Sequence, residues 1–206
     1  MNSFHSLQIE QPKVIKKNYF GFVLNCFSIR IKGIDYDTCK EQRQGSKFWG
    51  NQKKGIYGKG LCATELDPFK PARMGLIGEV AFGKIFNLPV NVGYEEKGDK
   101  YDFLIGPKSI NVKLAGSDSG VGLIRHSNQN NKIMPLKQDI YVFGILEKEE
   151  IDEYADVLLL GYILKQDIFS MSSVQKARIG LHFNYEVPYF KLKSISHLLY
   201  IKDTFF

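Results

Sequence analysis

The sequence predicts an α/β protein with a mixed sheet, in which a helix precedes three strands and further strands and short helices follow. Three observations carry that expectation. Ile77, Val80, Ala81, Ile85 and Leu88 recur at helical spacing, and Asn87, Leu88 and Pro89 close the helix. Two strand-like stretches, 101–105 and 109–115, meet at a Gly106-Pro107 turn. Residues 140–146 and 157–164 are apolar almost throughout, as strands covered on both faces are.

Taken in order, residues 20–31 are β-like, with aromatic and branched side chains bounded by charge. Residues 40–60 then carry Arg43, Lys47, Lys53, Lys54 and Lys59 against one acid, Glu41, with Phe48, Trp49 and Tyr57 among glycines. That segment reads either as a solvated loop whose aromatics tuck onto the core or as a basic arm on nucleic acid. In the second case amines meet phosphates and rings stack on bases, and Lys47, Trp49, Lys53, Lys54 and Lys59 are the candidate contacts. The expected division is an N-terminal extension with this arm, 1–66, and a core domain, 67–206. Within the core helix Gly75, Gly78 and Gly83 lower helix propensity, and close approach to the sheet would compensate. A third strand is expected over 121–126, a short helix over 165–170, and a closing element over 192–200.

Composition narrows the function classes. At 206 residues, with 44% hydrophobic and 13% aromatic side chains, the chain has ample material for a packed core. A net charge of +6 mildly favours an anionic partner, nucleic acid first and a membrane surface second. Cys26, Cys39 and Cys62 form no CxxC pair, and His5, His126, His182 and His197 complete no zinc pattern. They read as free thiols in a reducing compartment. No apolar run approaches the ~20 residues of a transmembrane helix, and the polar residues 1–17 do not resemble a signal peptide. A soluble, cytoplasmic protein is expected.

The most informative stretch is the strand pair. Alternation puts Asn111 and Lys113 on one face of the second strand and Ile110, Val112 and Leu114 on the other, with Asp102 on the first strand. A carboxylate, an amide and an amine then lie together at a sheet edge. Phosphodiester cleavage needs a nucleophilic water and charge stabilisation, which Mg²⁺ held by carboxylates supplies. Mg²⁺ takes a few hard oxygen ligands and keeps several waters. Asp102 and the Val112 carbonyl suit direct ligation, Glu79 suits contact through water, and Lys113 suits orienting the water or stabilising developing charge.

These residues carry a resemblance. Gly78-Glu79-Val80-Ala81-Phe82, then Tyr101-Asp102-Phe103-Leu104-Ile105, then Ile110-Asn111-Val112-Lys113 resemble the PD-(D/E)xK nuclease superfamily, which has a restriction-endonuclease-like fold. The main likeness spans about residues 74–165. Gln138 to Phe143, Leu160 to Ile163 and Asn184 to Pro188 are similar to the later strands and tail of some members. The resemblance implies an α-β-β-β-α-β core, a divalent cation (Mg²⁺, with Mn²⁺ as substitute) and DNA as substrate. It implies Glu79, Asp102, Asn111 and Lys113 as the catalytic set, with Asp102, Asn111, Val112 and Glu79 around the metal. A restriction-type endonuclease, working as a homodimer, is the implied activity. Asn111 departs from the pattern, standing where the family has Asp or Glu. Three explanations remain open: a natural variant of reduced activity, replacement by another acid such as Glu95, Glu96 or Asp118, or a deliberate Asp-to-Asn change that traps uncleaved DNA. A non-catalytic DNA-binding protein on a degenerate nuclease fold is the alternative.

Plainer roles exist for each residue. Asp102 also suits a strand-edge ion pair with Lys100 or Lys113, and Glu79 a solvated helix position. Arg125, a candidate phosphate contact with His126 beside it, also suits an ordinary exposed strand end. Asp139 and Asp118 suit turn chemistry, and His182 and His197 carry no pattern.

Overall fold

A computed structural model describes residues 11–45, 70–91, 101–128, 130, 132–176 and 182–205. The described residues form a mixed α/β protein of four helices, a six-stranded mixed sheet and a three-stranded antiparallel sheet. β1 (Lys13–Tyr19) and β2 (Phe22–Lys32) make a hairpin, followed by α1 (Ile34–Gly45) and α2 (Lys70–Phe86). β3 (Phe103–Ile105), β4 (Lys108–Ala115), β5 (Val121–Arg125), β6 (Ile140–Glu150) and β7 (Tyr154–Leu164) follow. The chain ends with α3 (Lys165–Met171), β8 (Ser173–Lys176), β9 (Phe183–Pro188) and α4 (Ile195–Phe205).

The large sheet has the order β1-β2-β7-β6-β4-β3, and only β4 and β6 run parallel. The strands expected at 140–146 and 157–164 are β6 and β7, at its centre. Alternation along them feeds two cores. Ile140, Val142, Val157 and Leu159 join Ile77, Ala81 and Phe82 of α2 on one face. Tyr141, Phe143, Leu158 and Leu160 join Ile124, Tyr185 and Val187 of the small sheet on the other. Burial on both faces is why these strands read as nearly continuous apolar runs.

The segment at 13–32, expected within an extension, supplies two strands of the large sheet. β2 pairs with β7 from Phe27↔Leu159 to Lys32↔Tyr154, and Phe27, Ile29 and Ile31 are buried in the same core as α2. Its apolar residues at every second position make this possible. The strand expected at 121–126 forms as β5, but it leaves the large sheet. β4 already has β3 and β6 as neighbours, so β5 pairs instead with β9 in the small sheet, order β5-β9-β8.

The termination of α2 follows its sequence. Asn87 adopts φ 48°, the Leu88 N–H donates to the Gly83 carbonyl at 2.8 Å, and the Asn87 N–H donates to Lys84 at 3.3 Å. This is the paired closure of a left-handed C-terminal cap. Of the three helix glycines, only Gly78 meets the large sheet closely, since a Cβ there would lie 3.0 Å from Leu114 Cβ. Gly83 instead accommodates Val90 and the Leu88 carbonyl of the following loop, and Gly75 faces open space.

Candidate functional site

β3 and β4 join through Gly106-Pro107, with Gly106 at φ 55°, a positive φ that glycine adopts without a steric cost. Asp102 precedes β3 and extends its pairing, since its N–H donates to the Ile110 carbonyl at 2.9 Å. That register brings its carboxylate back over β4. Asp102 Oδ2 accepts from the Val112 N–H at 2.6 Å and from Asn111 Nδ2 at 3.0 Å. The two residues singled out for their position across the hairpin are thus in direct contact.

β4 places its alternating side chains as expected. Ile110 and Val112 are buried beneath α2, Asn111 is half-buried and Lys113 is exposed. In register, Asn111 lies beside Tyr141 and Lys113 beside Phe143 of β6. Lys113 is exposed along its length, but protein crowds around its amine. Desolvation lowers its pKa below the ordinary lysine value, and the charge of Arg125 pushes the same way. The Asp102 and Glu79 carboxylates oppose this. Glu79, half-buried in the middle of α2, is therefore within electrostatic reach of β4. Glu79, Asp102, Asn111 and Lys113 form one neighbourhood, with Arg125 brought to it by the small sheet.

Other sequence-derived candidates lie elsewhere. Asp118 accepts the Tyr19 hydroxyl at 2.8 Å and the Gly120 N–H at 3.3 Å, and lies 3.9 Å from the Lys17 amine. It serves the β1–β2 hairpin and its own turn. Asp139 accepts from Ser109 N and Oγ at 2.9 and 2.8 Å, a tie between the starts of β4 and β6 where a local turn role was expected. Lys47, Trp49, Lys53, Lys54 and Lys59 of the basic arm, with Glu95 and Glu96, lie outside the described residues.

His182, to which the sequence assigned nothing, lies within the field of Arg125. Burial and that guanidinium both lower its pKa. No spacing pattern announced this, because the proximity arises from β5–β9 pairing. Asn184 pairs with Arg125 on one side and with Gln175 on the other. The Gln175 position had no sequence signal.

A divalent cation fits these residues poorly as they stand. Among the described residues no three His, Cys, Asp or Glu side chains are grouped to hold a metal. An ionised carboxylate only accepts hydrogen bonds, so Asn111 must present its nitrogen to Asp102. Asp102 then faces a donor, where a cation would need a further acceptor oxygen. No helix among the described residues is long and apolar enough to cross a membrane. Compared with known proteins, the chain matches no family, no curated protein and no solved structure.

Proposed function

We propose that the chain is a divalent-metal-dependent endodeoxyribonuclease of the restriction type, with its hydrolytic step impaired by Asn111. The observation that carries this reading is the contact of Asp102 with Asn111 on the hairpin that also bears Lys113. Asn and Asp have the same shape, so one amide-for-carboxylate exchange separates the present arrangement from two facing acids beside a lysine. Two such acids with Glu79 form a hard-oxygen donor set of the kind Mg²⁺ or Mn²⁺ takes. Lys113, within electrostatic reach of Asp102 and Glu79, would stabilise charge on a phosphate. The net charge of +6 suits a polyanionic substrate. A homodimer would let two sites address two strands.

The test is cleavage of supercoiled and linear DNA with Mg²⁺, comparing the chain with Asn111→Asp and with Asn111→Asp/Lys113→Ala. Cutting by the single variant alone supports the reading. If Asn111→Asp also fails to cut, the nuclease assignment is lost.

A second reading has its own support. The amide satisfies Asp102 without any cation, which suits a DNA-binding protein on a nuclease-derived scaffold. It predicts salt-sensitive DNA binding by all three proteins, since phosphate contacts weaken steeply with salt, and cutting by none.

A further inference from the structure

We infer that the outward face of the small sheet is a base-reading surface for duplex DNA, with Arg125, Asn184 and Gln175 forming one row across β5, β9 and β8. The ligand in this inference rests on the nuclease-site reading above; the row itself rests on strand register. Arg125 stands opposite Asn184, and Asn184 opposite Gln175. Residues directly opposite in antiparallel strands project to the same side. Gly122 and Ile124 are buried towards the large sheet, so Leu123 and Arg125 project away from it. Arg125 and Gln175 are exposed, and Asn184 is half-buried. The next row outward on the same face is Leu123, Glu186 and Ser173.

The residue types suit base edges. Arginine bonds guanine O6 and N7 in bidentate fashion, asparagine and glutamine do the same with adenine N6 and N7, and glutamate accepts from cytosine N4. Strands lie about 4.8 Å apart, so the row spans roughly 10 Å across three strands. The major groove is about 12 Å wide, comparable to the span of the row. Among the described residues no side-chain hydrogen bond engages the Asn184 or Gln175 amide, and no ion pair engages Arg125. Arg125 sits instead within electrostatic reach of the Lys113 amine, where the two positive charges repel. Phosphates beside the row would relieve that repulsion. Arg125 thus ends the row within electrostatic reach of Lys113, so one duplex could meet both the row and the hairpin cluster.

The chain as given suits the experiment, since Asn111 leaves bound DNA uncut in the proposed reading. Sites would be selected from a duplex pool with a randomised centre, using the full chain, Gln175→Ala and Asn184→Ala. Affinities for the enriched and random duplexes would then be measured at two salt concentrations. The expected result is an enriched motif for the full chain. Each variant should lower the ratio of enriched-site to random-site affinity about tenfold and relax the motif at one position. Gln175 is exposed on an edge strand, so its variant tests the row without threatening the fold. An unchanged motif in both variants, or salt-sensitive binding with no motif, overturns the reading face and leaves the nuclease reading standing. Equal competition by single-stranded RNA overturns the choice of duplex DNA. Absence of any salt-sensitive binding by the full chain removes both.

Discussion

Asp139 and Asn111 show how single polar side chains fix the hairpin in different ways. The Asp139 carboxylate receives the Ser109 N–H and hydroxyl, and its own N–H returns to the Ser109 carbonyl at 3.0 Å. Its carbonyl accepts the Lys165 N–H at 2.8 Å, so one residue ties together the starts of β4, β6 and α3. The Ser109 bonds hold its carboxyl below the usual range. A depressed carboxyl contributes its stability above the unfolded pKa, about 3.9, and loses it as pH falls through the folded value. Asp139→Ala is expected to cost about 1–3 kcal/mol at neutral pH. Urea unfolding at pH 7 and in acid measures it: the gap between variant and parent should shrink in acid. No gap at pH 7 would mean the clamp contributes nothing. Asn111→Asp removes a donor from Asp102 and sets two carboxylates face to face. Without divalent cation it should lose about 1–3 kcal/mol, and Mg²⁺ should restore much of it, while the parent's melting temperature stays insensitive to Mg²⁺ and chelator. Equal Mg²⁺ responses would contradict this account of the site.

At the scale of elements, two glycines set how closely the layers approach the large sheet. A Cβ on Gly122 would collide with the Phe143 ring, so β5 crosses β6 only because that position has no side chain. Gly122→Ala is expected to displace the small sheet and carry Arg125 away from Lys113. It should destabilise by about 1–3 kcal/mol, as overpacking does, and weaken DNA binding more than Asn184→Ala does. Unchanged stability and binding would show that the contact relaxes freely. The Gly78 contact with Leu114 does the same for α2, bringing Glu79 close to β4. The elements around the site were largely legible in the sequence. α2, its Asn87 closure, the hairpin and the alternation along β4 all follow from local period and turn chemistry. The departure of β5 was not legible, because its five residues state which faces are buried but not which sheet accepts them. That choice depends on the vacancy beside β4, which β6 fills from 25 residues further along the chain. The same limit hid the approach of His182 to Arg125 and the place of Gln175 in one row with Arg125, since both depend on pairing of β9 with the distant β5.

For the whole molecule, the large sheet separates two cores, and one buried polar network crosses the helical side. Arg73 of α2, 1% exposed, grips Glu149 of β6 through Nε to Oε1 at 2.5 Å and Nη2 to Oε2 at 3.1 Å. The Tyr36 hydroxyl of α1 donates to the same carboxylate at 3.0 Å, and burial with that bond pushes the phenol pKa up. The network ties α1 and α2 to the far end of β6, so α2 is held by apolar packing along its length and by a charge pair near its start. Glu79 lies further along the same helix, and its place near β4 depends on this anchorage. Glu149→Gln would keep the shape and remove the charge that the buried Arg73 guanidinium grips. Loss of one partner from a buried pair typically costs about 3–5 kcal/mol, whereas replacing both with apolar residues of similar volume is often neutral or stabilising. Urea unfolding should therefore find Glu149→Gln far less stable than the parent, with Arg73→Met/Glu149→Leu recovering most of the loss. In the Asn111→Asp background, the single change should also lower Mg²⁺-dependent cutting at temperatures where the fold remains intact, and the double change should restore it. Cutting that ignores both changes would mean Glu79 takes its position from the Gly78–Leu114 contact alone.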